Sequence, residues 1–185
     1  SVMFVDPSGK GKDATGYAIV KMLNGNLYVP DAGGLNGGYS DAVLTTLSKI
    51  AKTNNVNTIL VESNMGGGMF AELLKPFLMR YHPCEVKDVR NTKTKELRII
   101  DILEPVMNSH RLIIDRKVVE KDYRSNPNEA PERKLKLQLF YQMSRITKHR
   151  GSLVHDDILD ALSGAVAYWT DYMAQDEDRN IRSRK

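Results

Sequence analysis

Four consecutive apolar residues, Val2–Val5, run directly into Asp6 and Pro7. A run this short, stopped by proline, predicts a strand buried in a sheet, and the Gly- and Lys-rich SGKGKDATG after it cannot hold a regular element. TGYAIVKML and NLYVPDA then alternate as strands around the turn NGN, so the chain is expected to open as a three-stranded antiparallel meander. SDAVLTTLSKIAKTNN reads as a helix capped by Ser40, with Val43, Leu44, Leu47, Ile50 and Ala51 as its apolar stripe. VNTILVES returns as a strand ending at Glu62. MFAELLKPFLMRY predicts a helix kinked or broken near Pro76, and CEVKDV another strand. KTKELRIIDILEPVMNS is helical and HRLIID extended. Residues 116–123 form a further helical turn or two, and RKLKLQLFYQMSRIT a single helix. DDILDALSGAVAYWTDYMA predicts the last helix. The order predicts an α/β fold, a mixed central sheet in which the antiparallel meander is followed by parallel strands, with helices on both faces. One domain is expected over residues 1–175, with a charged, frayed tail at 176–185.

Of 185 residues, 41% are hydrophobic and 27% charged, a balance suited to a water-soluble core of substantial size. No apolar run approaches a membrane span and the first residues do not resemble a secretory signal, so neither a membrane nor secretion is expected. The single cysteine, Cys84, excludes an internal disulfide and a cysteine-cluster zinc site, and reads as a structural strand-edge thiol. A net charge of +4 favours an anionic partner. A core strand beginning almost at residue 1 suggests a fragment of something longer.

The acids carry the chemistry. Asp6 and Glu62 end two apolar strands, and LVHDDILDALSGAVAYW crowds Asp156, Asp157 and Asp160 into the start of the last helix. One acid at a helix N-terminus accepts amide hydrogen bonds and opposes the macrodipole, whereas three repel one another. If the first and fourth strands are parallel neighbours, these groups converge in the crevice beyond the strand ends. Hard cations such as Mg²⁺ take oxygen ligands and repay the burial of carboxylates. With Ile158, Leu159, Leu162, Val166 and Trp169 anchoring the last helix, Asp157 and Asp160 share another strip. Asp157 is therefore expected as a metal ligand, Asp160 as a second ligand or outer acid, and Asp156 as the cap.

With Asp6 in MFVDPSGKGKDATGYAIV, Glu62 in ILVESNMGGG and Asp157 in HDDILDAL, the sequence resembles the C-terminal nuclease domain of the large terminase subunit of tailed bacteriophages. NTKTKELRIIDILEPVMNSHRLIID and QMSRITKHRGSLVHDDILDAL extend the likeness over most of the chain. The resemblance implies a ribonuclease H-like fold, shared with Holliday-junction resolvases and retroviral integrases, that binds two Mg²⁺ or Mn²⁺ ions and cuts double-stranded DNA. It implies Asp6, Glu62 and Asp157 as the catalytic set, with the last acid alternatively Asp156 or Asp160. It further implies cleavage of concatemeric viral DNA at the start and end of packaging, in the cytoplasm of an infected bacterium. The expected partners are an ATPase domain earlier in the same polypeptide, the small terminase subunit, and the portal of a procapsid. SGKGKD lacks the Gly-x4-Gly-Lys-Ser/Thr pattern, so the ATPase domain is expected to be absent from this chain.

Around the acids, His155 is a candidate contact to substrate or a metal-bound water. Lys10 and Lys12, then Lys93, Lys95 and Arg98, then Arg145, Lys148 and Arg150 form three basic groups suited to gripping DNA backbone without sequence preference. Gly66, Gly67 and Gly68 precede a helix whose first amides could hold an anion or simply link strand to helix. Two rival functions use the same scaffold: a junction-resolving nuclease, and a catalytically silent module that binds DNA or docks on a procapsid. The absence of a compact nucleotide-gripping motif disfavours a small-molecule phosphohydrolase.

Overall fold

The computed structural model describes residues 1–8, 14–63, 68–91 and 94–183, with side chains described as far as residue 175. β1 (Val2–Asp6), β2 (Thr15–Leu23) and β3 (Asn26–Leu35) form the expected meander. β4 (Thr58–Glu62) lies parallel to β1 and β5 (Glu85–Val89) parallel to β4, while β6 (Leu112–Ile114) adds in parallel to β3. The result is one mixed sheet of order β5-β4-β1-β2-β3-β6.

β1 sits at its centre and is apolar throughout because both faces are covered. Val2 and Phe4 face a core with Leu159, Leu162 and Val166 of the last helix, α7 (Asp157–Ser183). Met3 and Val5 face the opposite core, closed by α1 (Asp41–Thr53) and α2 (Met69–Tyr81). Ser40 caps α1 as expected, its hydroxyl accepting from the amide of Val43. Strand parity then fixes the acids. Asp6 follows Val2 and Phe4, and Glu62 follows Leu60, so both carboxylates fall on the α7 side at the ends of paired parallel strands.

α7 approaches the sheet unusually closely. A Cβ on Gly164 would stand 2.5 Å from Cδ2 of Phe4, and one on Gly16 of β2 would stand 2.1 Å from the carbonyl oxygen of Asp157. In a helix interior glycine costs about 1 kcal/mol relative to alanine, so Gly164 gives up helix stability for this approach.

Two local expectations are corrected. α2 continues unbroken through Pro76. The segment expected as one helix is two, α5 (Pro131–Lys136) and α6 (Leu139–Arg145), preceded by α4 (Arg116–Arg124). Asp122 of α4 accepts from the amides of Leu139 at 2.8 Å and Phe140 at 3.1 Å, starting a new helix at the extended Gln138. The cap comes from elsewhere in the fold, so local periodicity does not reveal it. The α7 backbone is helical to Ser183, and no Gly or Pro interrupts it after Gly164. Cys84 lies half-buried just before the edge strand β5, its thiol pKa pushed up by burial.

Urea denaturation is expected to show Gly16→Ala destabilised by about 2 kcal/mol or more, because the methyl meets backbone. Gly164→Ala should lose less, since about 1 kcal/mol of helix propensity offsets its clash. Unchanged midpoints for both would mean that α7 can lift freely from the sheet.

Candidate metal centre

Among the described residues, the carboxylates of Asp6, Glu62 and Asp160 bring ligand oxygens within 4.8 Å of one another. They come from β1, β4 and the first turn of α7. Asp160 is completely buried, and 15% of the Asp6 side chain is exposed. Burial raises the Asp6 carboxyl to about 8, with Lys95 opposing the shift and the charges of Asp160, Glu62 and Asp157 adding to it. Burial likewise pushes Asp160 up, opposed by Lys95 and Arg98. Crowded acids in a dry crevice favour either a proton or a cation.

Two cations from α3 (Lys95–Asn108) enter this cluster. Lys95 Nζ lies 2.8 Å from Asp156, 3.0 Å from Asp160 and 3.4 Å from Asp6. Burial works against its charge, but Asp160, Asp6 and Asp156 outweigh it and push its pKa up. Arg98 Nη2 donates to both oxygens of Asp160, at 2.7 and 3.0 Å, and approaches Glu62 Oε1 at 3.7 Å. Lys95 and Arg98 were expected to meet DNA backbone. In the structure α3 packs against α7 and directs both side chains at the acids, with Lys95 still one-third exposed beside an open cavity.

The other expected residues surround this centre. Asp157 is close enough to raise the Asp6 carboxyl, and it borders a narrow cavity with Gly33, Gly34 and Lys121. Asp156 precedes α7 and its carbonyl accepts from the amide of Asp160, but its carboxylate pairs with Lys95. The Leu159 amide is instead met by the side-chain oxygen of Gln142, from α6. His155 is half-buried one residue earlier. Arg150 borders an open cavity of about 530 Å³ together with Thr94, Lys95, Gly151 and Asp156. Arg145 and Lys148 are exposed, Arg145 over the ring of Tyr141. Lys10, Lys12, Lys93, Gly66 and Gly67 lie outside the described residues. At Gly68, which precedes α2, the Asp88 carboxylate lies where a Cβ would contact it, so this helix start already faces an acid.

Sequence reasoning did not single out Asn91, which donates to Glu62 Oε1 at 2.9 Å, or Ser163, whose hydroxyl meets the Asp160 carbonyl and carboxylate. Ser163 stands three residues after Asp160, a spacing that could have flagged it. Asn91 carried no such signal.

A central strand paired in parallel with one neighbour and antiparallel with the other, ending beside acids from two further elements, defines a ribonuclease H-like domain. The family described as Terminase Bacteriophage T7, Ribonuclease H-like domain matches residues 5–112, and the chain belongs to that family. It is 41% identical over 175 residues to the terminase large subunit of Enterobacteria phage T3. That match covers 95% of this chain and 30% of the relative's length. The human cytomegalovirus terminase nuclease domain, manganese-soaked and inhibitor-bound, shares the fold with a TM-score of 0.60 at 15% identity, covering 89% of this chain and 80% of that one. A variant nuclease domain of the large terminase subunit gp2 of bacterial virus Sf6, with manganese and beta-thujaplicinol, gives 0.55 at 14% identity, covering 89% and 86%.

Asp6 holds its proton more tightly folded than unfolded, so the stability it contributes at low pH is lost as pH rises from the ordinary carboxyl range towards about 8. Metal-free protein is therefore expected to melt at falling temperature between about pH 4 and pH 8. Asp6→Asn, which cannot ionise, should flatten that decline; an equal decline in the variant would assign it to another group.

Proposed function

We propose that this chain is the metal-dependent DNA endonuclease domain of a viral DNA-packaging terminase. Its substrate is concatemeric double-stranded DNA, cut when packaging begins and ends. The observation that carries this reading is the convergence of Asp6, Glu62 and Asp160 within 4.8 Å at the ends of parallel strands. Family membership and the manganese in the related nuclease domains support it.

Asp6, Glu62 and Asp160 would hold the metal, with Asp157 completing the coordination of a second ion. Their all-oxygen donor set and raised carboxyl pKa values suit a hard divalent cation, Mg²⁺ or Mn²⁺. Two such ions, when bound, would supply Lewis acidity for attack by water on the phosphodiester and for departure of the 3′ oxygen. The chain provides the rest. β1 and β4 fix two carboxylates on a rigid sheet, and Asn91 orients Glu62. Arg150, exposed beside the open cavity that Asp156 also borders, would meet a DNA phosphate, and Lys148 and Arg145, both exposed, would extend that basic approach. His155 lies near enough in sequence to the acids to contact substrate. Lys10, Lys12 and Lys93 keep their expected role on DNA backbone.

In the full-length protein the domain works beside an ATPase domain of the same polypeptide, with the small subunit and the procapsid portal as partners, in the infected bacterial cytoplasm. Among the described residues no helix is long and apolar enough to cross a membrane.

Conversion of supercoiled plasmid to nicked and linear forms tests the proposal. Mg²⁺- or Mn²⁺-dependent cutting is expected, abolished by EDTA. It should fall roughly 100-fold or more in Asp6→Asn and Asp160→Asn, above the usual effect of losing a partner outside the ligand set. Asp157→Asn, which would leave the ligands shared by Asp6, Glu62 and Asp160 in place and loosen only the second ion, should cost about 10- to 100-fold. A severe Asp157→Asn with a mild Asp160→Asn would exchange their roles, and DNA binding without cutting under either metal would point to a docking module.

A further inference from the structure

The two cations that α3 sends into the acids are not equivalent. Lys95 is 35% exposed at its side chain, on a flexible stem beside the open cavity, and can swing away as a metal arrives. Arg98 cannot. Only 9% of its side chain is exposed, and its neighbour Ile99 is held in the core. Nη2 spans both oxygens of Asp160 and reaches towards Glu62, so one guanidinium lies between ligands from α7 and β4. Its buried Nε has no hydrogen-bond partner among the described residues. A buried donor left unmade is costly, so saturation of its own hydrogen bonds does not account for the place of this side chain. Its contacts with the acids do.

Resting on the metal reading above, we propose that Arg98 is a positioning residue that sets the alignment of Asp160 and Glu62 and restrains the affinity of the centre for divalent cations. The guanidinium fixes the two carboxylates relative to each other across the gap between helix and strand. It also competes for Asp160 and contributes a permanent positive charge beside the ions. Geometry and charge therefore act in opposite directions on metal binding and on turnover. The first helps a bound cation to be used, and the second keeps it from binding too tightly.

Manganese titration of the DNA-free protein by calorimetry, paired with plasmid cleavage at saturating Mn²⁺, separates them. Arg98→Met removes the charge while keeping apolar bulk, and is expected to bind Mn²⁺ about 10-fold more tightly while cutting roughly 10- to 100-fold more slowly. Arg98→Lys keeps the charge but not the planar, longer reach that lets Nη2 meet Asp160 while approaching Glu62, and should bind Mn²⁺ near the native affinity while still cutting slowly. A merely structural role would weaken binding and cleavage together. Weaker Mn²⁺ binding by Arg98→Met, or native cleavage rates in both variants, would overturn the proposal. Should Arg98→Met fail to fold by circular dichroism, Arg98→Lys decides alone, with native cleavage overturning the assignment and slow cleavage at native affinity supporting it. If the unmodified protein binds no Mn²⁺, or binds it equally after Asp6→Asn, the metal reading itself fails instead.

Discussion

Everything at this centre depends on how closely α7 lies on the middle of the sheet. Glycine at 16 and at 164 lets the helix settle against β2 and the Phe4 ring, where any side chain would collide. That contact seats Leu159 and Leu162 in the core and sets Asp160, completely buried, opposite the ends of β1 and β4. Raise the helix by the thickness of a methyl group and Asp160 would leave the reach of Asp6. The packing of apolar surfaces, which has no chemistry of its own, therefore determines the spacing of the charged groups.

Such a placement has an electrostatic cost. Carboxylates removed from water each lose several kcal/mol of hydration, and their mutual repulsion adds to it. The protein meets part of this with Lys95 and Arg98, which pair with Asp6, Asp156, Asp160 and Glu62 among them. The compensation is incomplete, which is why the Asp6 carboxyl remains raised despite Lys95. A centre left short of positive charge is ready for a cation, while one without any internal cation would be hard to fold at all.

Much of the sheet was legible in the chain because period-two alternation and the turn NGN are local signals. The convergence of Asp6 and Glu62 was conditional on β1 and β4 being parallel neighbours, and the register meets that condition. What escaped was carried by contacts between distant segments. The break between α5 and α6 depends on Asp122, and the amide met by Gln142 belongs to a helix beginning many residues later. Lys95 and Arg98 looked like surface cations because a helical stripe says which residues share a face, not whether that face meets solvent or acids. The same limit applied to the acidic triplet: spacing set Asp157 and Asp160 on one strip, and only the depth of α7 distinguishes the buried acid from its half-exposed neighbour.

The acids that converge here come from opposite ends of the described chain and from its middle, and the arginine between them from a fourth place. No local hairpin or helix pair can assemble such a group, so its formation waits on long-range closure of the whole sheet against α7. A chain whose α7 is not yet made or not yet docked keeps Asp160 apart from Asp6 and Glu62, and hydrated. The topology thus ties assembly of the acidic centre to completion of the fold, so that it exists only in a chain whose last helix has docked.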